Sequence, residues 1–178
     1  MRLPRKIAGL LTAAGIAAAI TTAAAPAHAA DPIYVGIATT TPSSNLCLEA
    51  DPASDVAFRV YTQPCNVANN WAQQWTYQSV DPGIVKIENH ALPGWCIEAH
   101  AITDNSPVIM WPCSSTESNL RWEALDAGFG LTTFESRISG SFGHCLDVPG
   151  DLTLAAWPMH VYTCNSTAAQ RFVVTATH

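Results

Sequence analysis

Six cysteines recur on a fixed period, and that period constrains this chain more than any other feature. Cys47, Cys96 and Cys145 are spaced 49 residues apart, and Cys65, Cys113 and Cys164 follow at intervals of 48 and 51. The residues around them repeat as well. Asn45-Leu46-Cys47-Leu48-Glu49, Gly94-Trp95-Cys96-Ile97-Glu98 and Gly143-His144-Cys145-Leu146-Asp147 share the pattern Cys, aliphatic, acid. An alternating stretch leads into each second cysteine: Val60-Tyr61-Thr62-Gln63-Pro64-Cys65, Val108-Ile109-Met110-Trp111-Pro112-Cys113 and His160-Val161-Tyr162-Thr163-Cys164. Trp75, Trp122 and Phe172 then follow those cysteines by ten, nine and eight residues. Three copies of one supersecondary unit are present, and a unit this short has to bury its apolar face against its neighbours.

The amino terminus sets the redox context. Arg2, Arg5 and Lys6 precede an apolar, alanine-rich run from Ile7 to about Ala25, and Pro26-Ala27-His28-Ala29 offers a small-x-small cleavage site. That order reads as a secretory signal peptide over residues 1–29. A transmembrane anchor is the weaker reading, because alanine partitions poorly into bilayers. An even number of cysteines in an exported chain reads as disulfides. Six cysteines allow fifteen pairings. The simplest one that respects the repeat is Cys47–Cys65, Cys96–Cys113 and Cys145–Cys164. Each closes a loop of roughly 17 to 20 residues, worth roughly 3 kcal/mol in the chain-entropy model. No C-x2-C pair is present, so a zinc site is not expected.

Beyond the signal, only Arg59, Lys86, Arg121, Arg137 and Arg171 stand against fourteen Asp and Glu. Phosphate contacts dominate nucleic-acid affinity, and five scattered cations cannot supply them. An anionic membrane surface is disfavoured for the same reason, and no membrane insertion is expected. Short β-branched and aromatic runs, such as Val85-Lys86-Ile87 and Arg171-Phe172-Val173-Val174, are bounded by Pro, Gly, Asn, Asp and Ser clusters. This is the pattern of many short strands joined by tight turns, and helix signals are nearly absent. An all-β, three-unit barrel with a cap is the expected class.

Gln73-Gln74-Trp75 is a full Gln-x-Trp triplet, Leu120-Arg121-Trp122 keeps its tryptophan, and Gln170-Arg171-Phe172 keeps its glutamine. In register with three cysteine pairs, these triplets make the chain resemble the ricin-B type of β-trefoil lectin, from about Ser43 to Ala176. After the signal peptide (1–29), the resemblance implies a lead-in and first strand (30–42) and a trefoil over 43–178 with repeats at about 43–84, 85–133 and 134–178. It also implies that Trp75, Trp122 and Phe172 are core residues on the pseudo-threefold axis.

A sugar site needs a flat aromatic face for the C–H side of the ring, and a carboxylate and amide for the hydroxyls. In the resembled family the acid is the second residue after the first cysteine, and the aromatic lies two before the second cysteine. An Asn and the Gln of the triplet complete the pocket. The first repeat carries Glu49 and Gln73, but Gln63 and Ala72 stand at the aromatic and Asn positions, so it reads as scaffold. The second has Glu98, Trp111 and Asn119, with Leu120 in place of the Gln. The third has Asp147, Tyr162 and Gln170, with Ala169 in place of the Asn. There His160, two residues before Tyr162, is a candidate donor or acceptor at the pocket wall.

The implied function is carbohydrate binding by a secreted, non-enzymatic module, on galactose-type sugars or glycans, with no cofactor and no metal. No H-E-x-x-H, G-x-S-x-G or phosphate-cradling glycine loop occurs. The rival reading is a trefoil that has lost sugar binding and works as an inhibitor or protein-interaction module on a partner in trans. Trp71, Trp95 and Trp157 read as packing or rim residues, and His90, His100, His144 and His178 as surface residues.

Overall fold

Alternation along a strand puts Leu48, Ile97 and Leu146 on the face opposite their flanking cysteine and carboxylate, and that inner face organises the fold. The computed structural model describes residues 33–40, 45–51, 58–138, 142–150 and 155–177. Its strands group in fours. The first group is β1 (Val35–Thr39), β2 (Leu46–Ala50), β3 (Val60–Pro64) and β4 (Trp75–Asp81). The second is β5 (Ile84–Asn89), β6 (Trp95–Ala99), β7 (Ser106–Pro112) and β8 (Trp122–Asp126). The third is β9 (Leu131–Ser136), β10 (His144–Asp147), β11 (His160–Thr163) and β12 (Phe172–Ala176).

The outer strands of each group close an antiparallel six-stranded barrel in the order β1-β4-β5-β8-β9-β12 and back to β1. Closure leaves the barrel without unpaired edges. The middle strands form the hairpins β2–β3, β6–β7 and β10–β11. These hairpins are joined to one another: β11 pairs with β7 at His160↔Pro107 and Val161↔Ser106, and isolated bridges link Arg59 to Ile109 and Tyr61 to Pro158. This is the β-trefoil that the repeat implies.

Side chains from all three groups fill one buried cluster in matched sets. Leu48, Ile97 and Leu146 form one set, Ile37, Ile87 and Phe134 another, and Trp75, Trp122 and Phe172 a third, each fully buried. Trp75 and Trp122 also carry an indole N–H into this apolar interior, where an unmade hydrogen bond is costly. Trp75 Nε1 donates to the Leu48 carbonyl at 3.2 Å and Trp122 Nε1 to the Ile97 carbonyl at 3.0 Å. Each therefore ties the end of a repeat to the hairpin of the same repeat. Phe172 fills the third position without needing an acceptor.

The three disulfides are Cys47–Cys65, Cys96–Cys113 and Cys145–Cys164, each stapling the ends of one hairpin. Two details of the expected organisation differ. The strand placed in the lead-in is β1, which pairs with β12, β2 and β4 as a full member of the barrel. The expected limit between the second and third repeats, 133–134, falls inside β9. Sequence similarity peaks around the cysteines, so it leaves the barrel strands between them unassigned. Residues 1–29, read as a signal peptide, lie outside the described residues, as does His178.

Trp122→Phe should destabilise the protein by about 1–3 kcal/mol, the cost of leaving the buried Ile97 carbonyl without its donor. Trp122→Ala should cost about 3–5 kcal/mol through cavity formation. Urea unfolding monitored by circular dichroism measures both.

Candidate functional site

Each cap hairpin presents the same outer face. In an antiparallel pair, residues directly opposite one another point to the same side of the sheet, and diagonal neighbours lie about 7–8 Å apart. The pairs Cys47↔Gln63, Cys96↔Trp111 and Cys145↔Tyr162 are one position of this face, and Glu49↔Tyr61, Glu98↔Ile109 and Asp147↔His160 are the next. Acid and platform therefore share a side in every repeat. What differs is the group set opposite the acid: a phenol, an aliphatic chain or an imidazole.

In the third repeat Asp147 and His160 are buried, and His160 Nε2 lies 2.8 Å from Asp147 Oδ1. Tyr162 is 36% exposed, and its ring sits 6.1 Å from the His160 ring at 29°. The three line an open cleft of about 340 Å³, together with Asn105, Asn165 and Ala169. Gln170 stands behind this cleft. It is fully buried, its Nε2 donates to the Thr163 carbonyl at 3.0 Å, and its Oε1 accepts from the Asn165 N–H at 2.8 Å. The triplet glutamine thus spends its amide on the backbone and shapes the 163–165 segment that borders the cleft. Gln73 does the same for Pro64 and Asn66 in the first repeat.

The second repeat brings Glu98 and Asn119 together, with Asn119 Nδ2 donating to Glu98 Oε1 at 2.8 Å and His100 Nδ1 3.6 Å from the same oxygen. Glu98 is 3% exposed, and its Oε2 and the Asn119 Oδ1 are buried with no hydrogen-bond partner among the described residues. Desolvation by this burial raises the Glu98 pKa, against the opposing pull of His100, and the Glu117 carboxylate raises it further. A cleft of about 510 Å³ is lined by His100, Glu117 and Asn119. Trp111, 42% exposed, shares the hairpin face with Glu98 but is not among the residues lining that cleft.

In the first repeat Glu49 Oε2 accepts from both Asn70 Nδ2 and Gln73 Nε2, each at 2.8 Å. Asn70 takes the part that Ala72 cannot. Its Oδ1 also accepts from the Ala72 N–H at 3.0 Å, capping the single-turn helix Trp71–Gln73. Asn70, Asn105 and Asn165 are the polar residues that sequence reasoning missed. A cap-forming Asn just ahead of the short helix was the available signal for Asn70. Nothing local marks Asn105, which reaches the third-repeat cleft from the second repeat. Trp71 is largely exposed and stacks on His90 at 4.8 Å; the His90 ring also stacks on Tyr34 at 3.9 Å, and its Nδ1 lies 2.8 Å from Gln74 Oε1.

The family model of the ricin-type beta-trefoil lectin domain matches residues 35–137. No curated protein matches the chain. Among solved structures, the designed threefold-symmetric protein ThreeFoil is similar with a TM-score of 0.69 at 21% identity, over 80% of this chain and 97% of that one. The Macrolepiota procera ricin B-like lectin in complex with lactose gives a TM-score of 0.61 at 14% identity, over 79% of this chain and 93% of that one. The exo-beta-1,3-galactanase 1,3Gal43A of Clostridium thermocellum gives 0.70 at 20% identity, over 83% of this chain but 30% of that one. The chain thus spans less than a third of the galactanase.

Because folding raises the Glu98 pKa, the stability tied to its neutral form is present below the ordinary Glu range and is lost as pH rises through the raised value. Glu98→Gln keeps the neutral form at every pH. Its melting temperature should exceed wild type by a few degrees near pH 8, and the gap should close towards about pH 4, by differential scanning calorimetry.

Proposed function

The chain belongs to the ricin-type beta-trefoil lectin domain family, and we propose that it is a secreted carbohydrate-binding module whose working site is the third-repeat cleft. One observation carries the reading. Asp147, His160 and Tyr162 converge on an open cleft, with the carboxylate and imidazole 2.8 Å apart and the phenol ring exposed beside them. The His160 Nε2–H faces the carboxylate, so the remaining lone pairs of Asp147 and the imidazole Nδ1 supply acceptors for vicinal hydroxyls. The Tyr162 ring offers a flat apolar face for the C–H side of a pyranose. Such a set binds a polyol and performs no chemistry on it.

Galactose-type sugars are the proposed ligands. Lactose, present in the complex of the similar Macrolepiota lectin, is the first probe to use. Glu98, Trp111 and Asn119 form the proposed second site, and Gln170 supports the third-repeat site from behind. A second site on the same rigid body would add avidity on a dense glycan surface.

A protein partner in trans is the second reading, and it has its own observation. Phe129, with a φ of +56°, stands fully exposed at the β8–β9 tip between Gly128 and Gly130, and Leu125 and Val173 are also exposed. If wild-type protein ignores every sugar on a glycan array, that reading replaces the first.

Asp147→Asn and Tyr162→Ala should each weaken lactose binding by about tenfold or more in isothermal titration, as expected for losing a charged hydrogen bond or a stacking face. Wild-type affinity in Asp147→Asn would move the site to Glu98 and Trp111.

A further inference from the structure

Each cap loop reaches across a repeat boundary, and at one boundary it delivers a side chain to the cleft just described. The β6–β7 loop of the second repeat lies against β11 of the third. Asn105 N–H donates to the Val161 carbonyl at 2.9 Å. Beside it, Asp104 Oδ1 accepts from the Thr163 N–H at 2.7 Å and from its hydroxyl at 2.9 Å. Within the loop, Ser106 N–H donates to the Thr103 carbonyl at 3.0 Å, and the Thr103 and Ser106 hydroxyls are 2.8 Å apart. Asn105 is therefore pinned on both sides while its side chain remains exposed and lines the same cleft as Asp147, His160 and Tyr162. Among the described residues its amide has no hydrogen-bond partner.

We propose that the third-repeat sugar site is a composite one, completed by the Asn105 amide from the second repeat; this rests on reading that cleft as the sugar site. The chemistry required is plain. In the second repeat an amide reaches the acid, Asn119 to Glu98, but the equivalent position in the third repeat is Ala169. The third-repeat cleft thus has a carboxylate, an imidazole and a platform but no amide at that position; Asn165 also lines it, with its Oδ1 accepting from the Thr167 N–H at 3.0 Å. An amide donates from its nitrogen and accepts at its oxygen, so it can bridge two neighbouring hydroxyls of a pyranose, whereas the Asp147 carboxylate only accepts. The ligand class is a sugar with adjacent free hydroxyls, one facing Asp147 and its neighbour facing the β6–β7 loop.

A purely conformational role for Asn105 has to be weighed against this. Its φ is +68°, in the left-handed region that Asn tolerates better than most residues. The loop from the third repeat onto the first places Ala156 in the same way, with a φ of +62° and its N–H on the Thr62 carbonyl at 2.6 Å. The backbone conformation is thus reached without an amide, and what Asn adds at 105 is its side chain.

Asn105→Gly separates the two roles, because glycine accepts the left-handed conformation without strain and deletes only the amide. The experiment titrates lactose into wild type, Asn105→Gly and Asp147→Asn, with a melting curve for each. The composite site requires Asn105→Gly to bind lactose about fivefold more weakly, the usual consequence of losing one net hydrogen bond, with melting unchanged or raised. Asn105→Asp, which sets a second carboxylate beside Asp147, should weaken binding as well. Lactose affinity within twofold of wild type in Asn105→Gly, alongside loss of binding in Asp147→Asn, overturns the composite site and leaves the third-repeat reading intact. Unchanged binding in Asp147→Asn, or no binding by wild type, overturns the reading and the composite site with it.

Discussion

Trp75, Trp122 and Phe172 share one buried cluster to which every repeat contributes, and no repeat on its own encloses any of the three. A four-strand unit has one apolar face and nothing of its own to cover it, so the burial of these rings depends on all three units being in place. All three are among the largest fully buried side chains of the interior. Two of the three rings add a directional demand, because an indole N–H placed there has to find a carbonyl. Leu48 and Ile97 provide it, each from the hairpin strand that carries the first cysteine of its repeat. The inner face of that strand is thereby fixed in register, and a one-residue slip would turn Leu48 or Ile97 outwards and the carboxylates inwards.

Fixing the inner face leaves the outer face free to vary. The disulfides hold the hairpin ends, and the residues between them alternate between a constrained side and an unconstrained one. Glu49, Glu98 and Asp147 occupy the same outer position, yet the groups opposite them are Tyr61, Ile109 and His160. Platform positions differ too: Gln63, Trp111 and Tyr162. The fold tolerates all of these because none of them supports the axis. Three copies of one scaffold thus carry three different sites.

The same division explains what was legible in the sequence. Cysteine pairs and hairpins follow from local spacing, because period-two alternation and the interval between cysteines are written within single repeats. The axis aromatics, acids and platforms were legible through the resemblance to the ricin-B type, whose pattern is likewise local to each repeat. Two things were not. Gln170 looks like a ligand-gripping residue in the chain, but its amide lies beneath the cleft and braces Thr163 and Asn165. Asn105 carries no signature at all, because what brings it to Asp147 is the packing of one repeat's loop on the next repeat's strand. Contacts of that kind depend on the third dimension of the cap and leave no period in the chain. Asn70 lies between these cases: its position two residues before Ala72 is visible, but its reach to Glu49 is not.

Internal satisfaction of the three acids decides which copy has something left for a ligand. A buried carboxylate needs hydrogen bonds, and any ligand hydroxyl has to compete with the partners already present. Glu49 is held by two side-chain amides at a single oxygen, so a sugar at the first repeat would meet groups already committed to one another. Glu98 stands at the opposite limit: one oxygen is held by Asn119, the other is buried with no partner among the described residues, and the cost appears as a raised pKa. Asp147 lies between the two. Among the described residues it is held by His160 alone, at one oxygen, and it borders an open cleft. A buried carboxylate that is oriented by one neighbour and borders a cleft can take a hydroxyl without having to surrender an internal bond. That balance, more than the match of any residue to a pattern, is what favours the proposal of the third repeat as the sugar site.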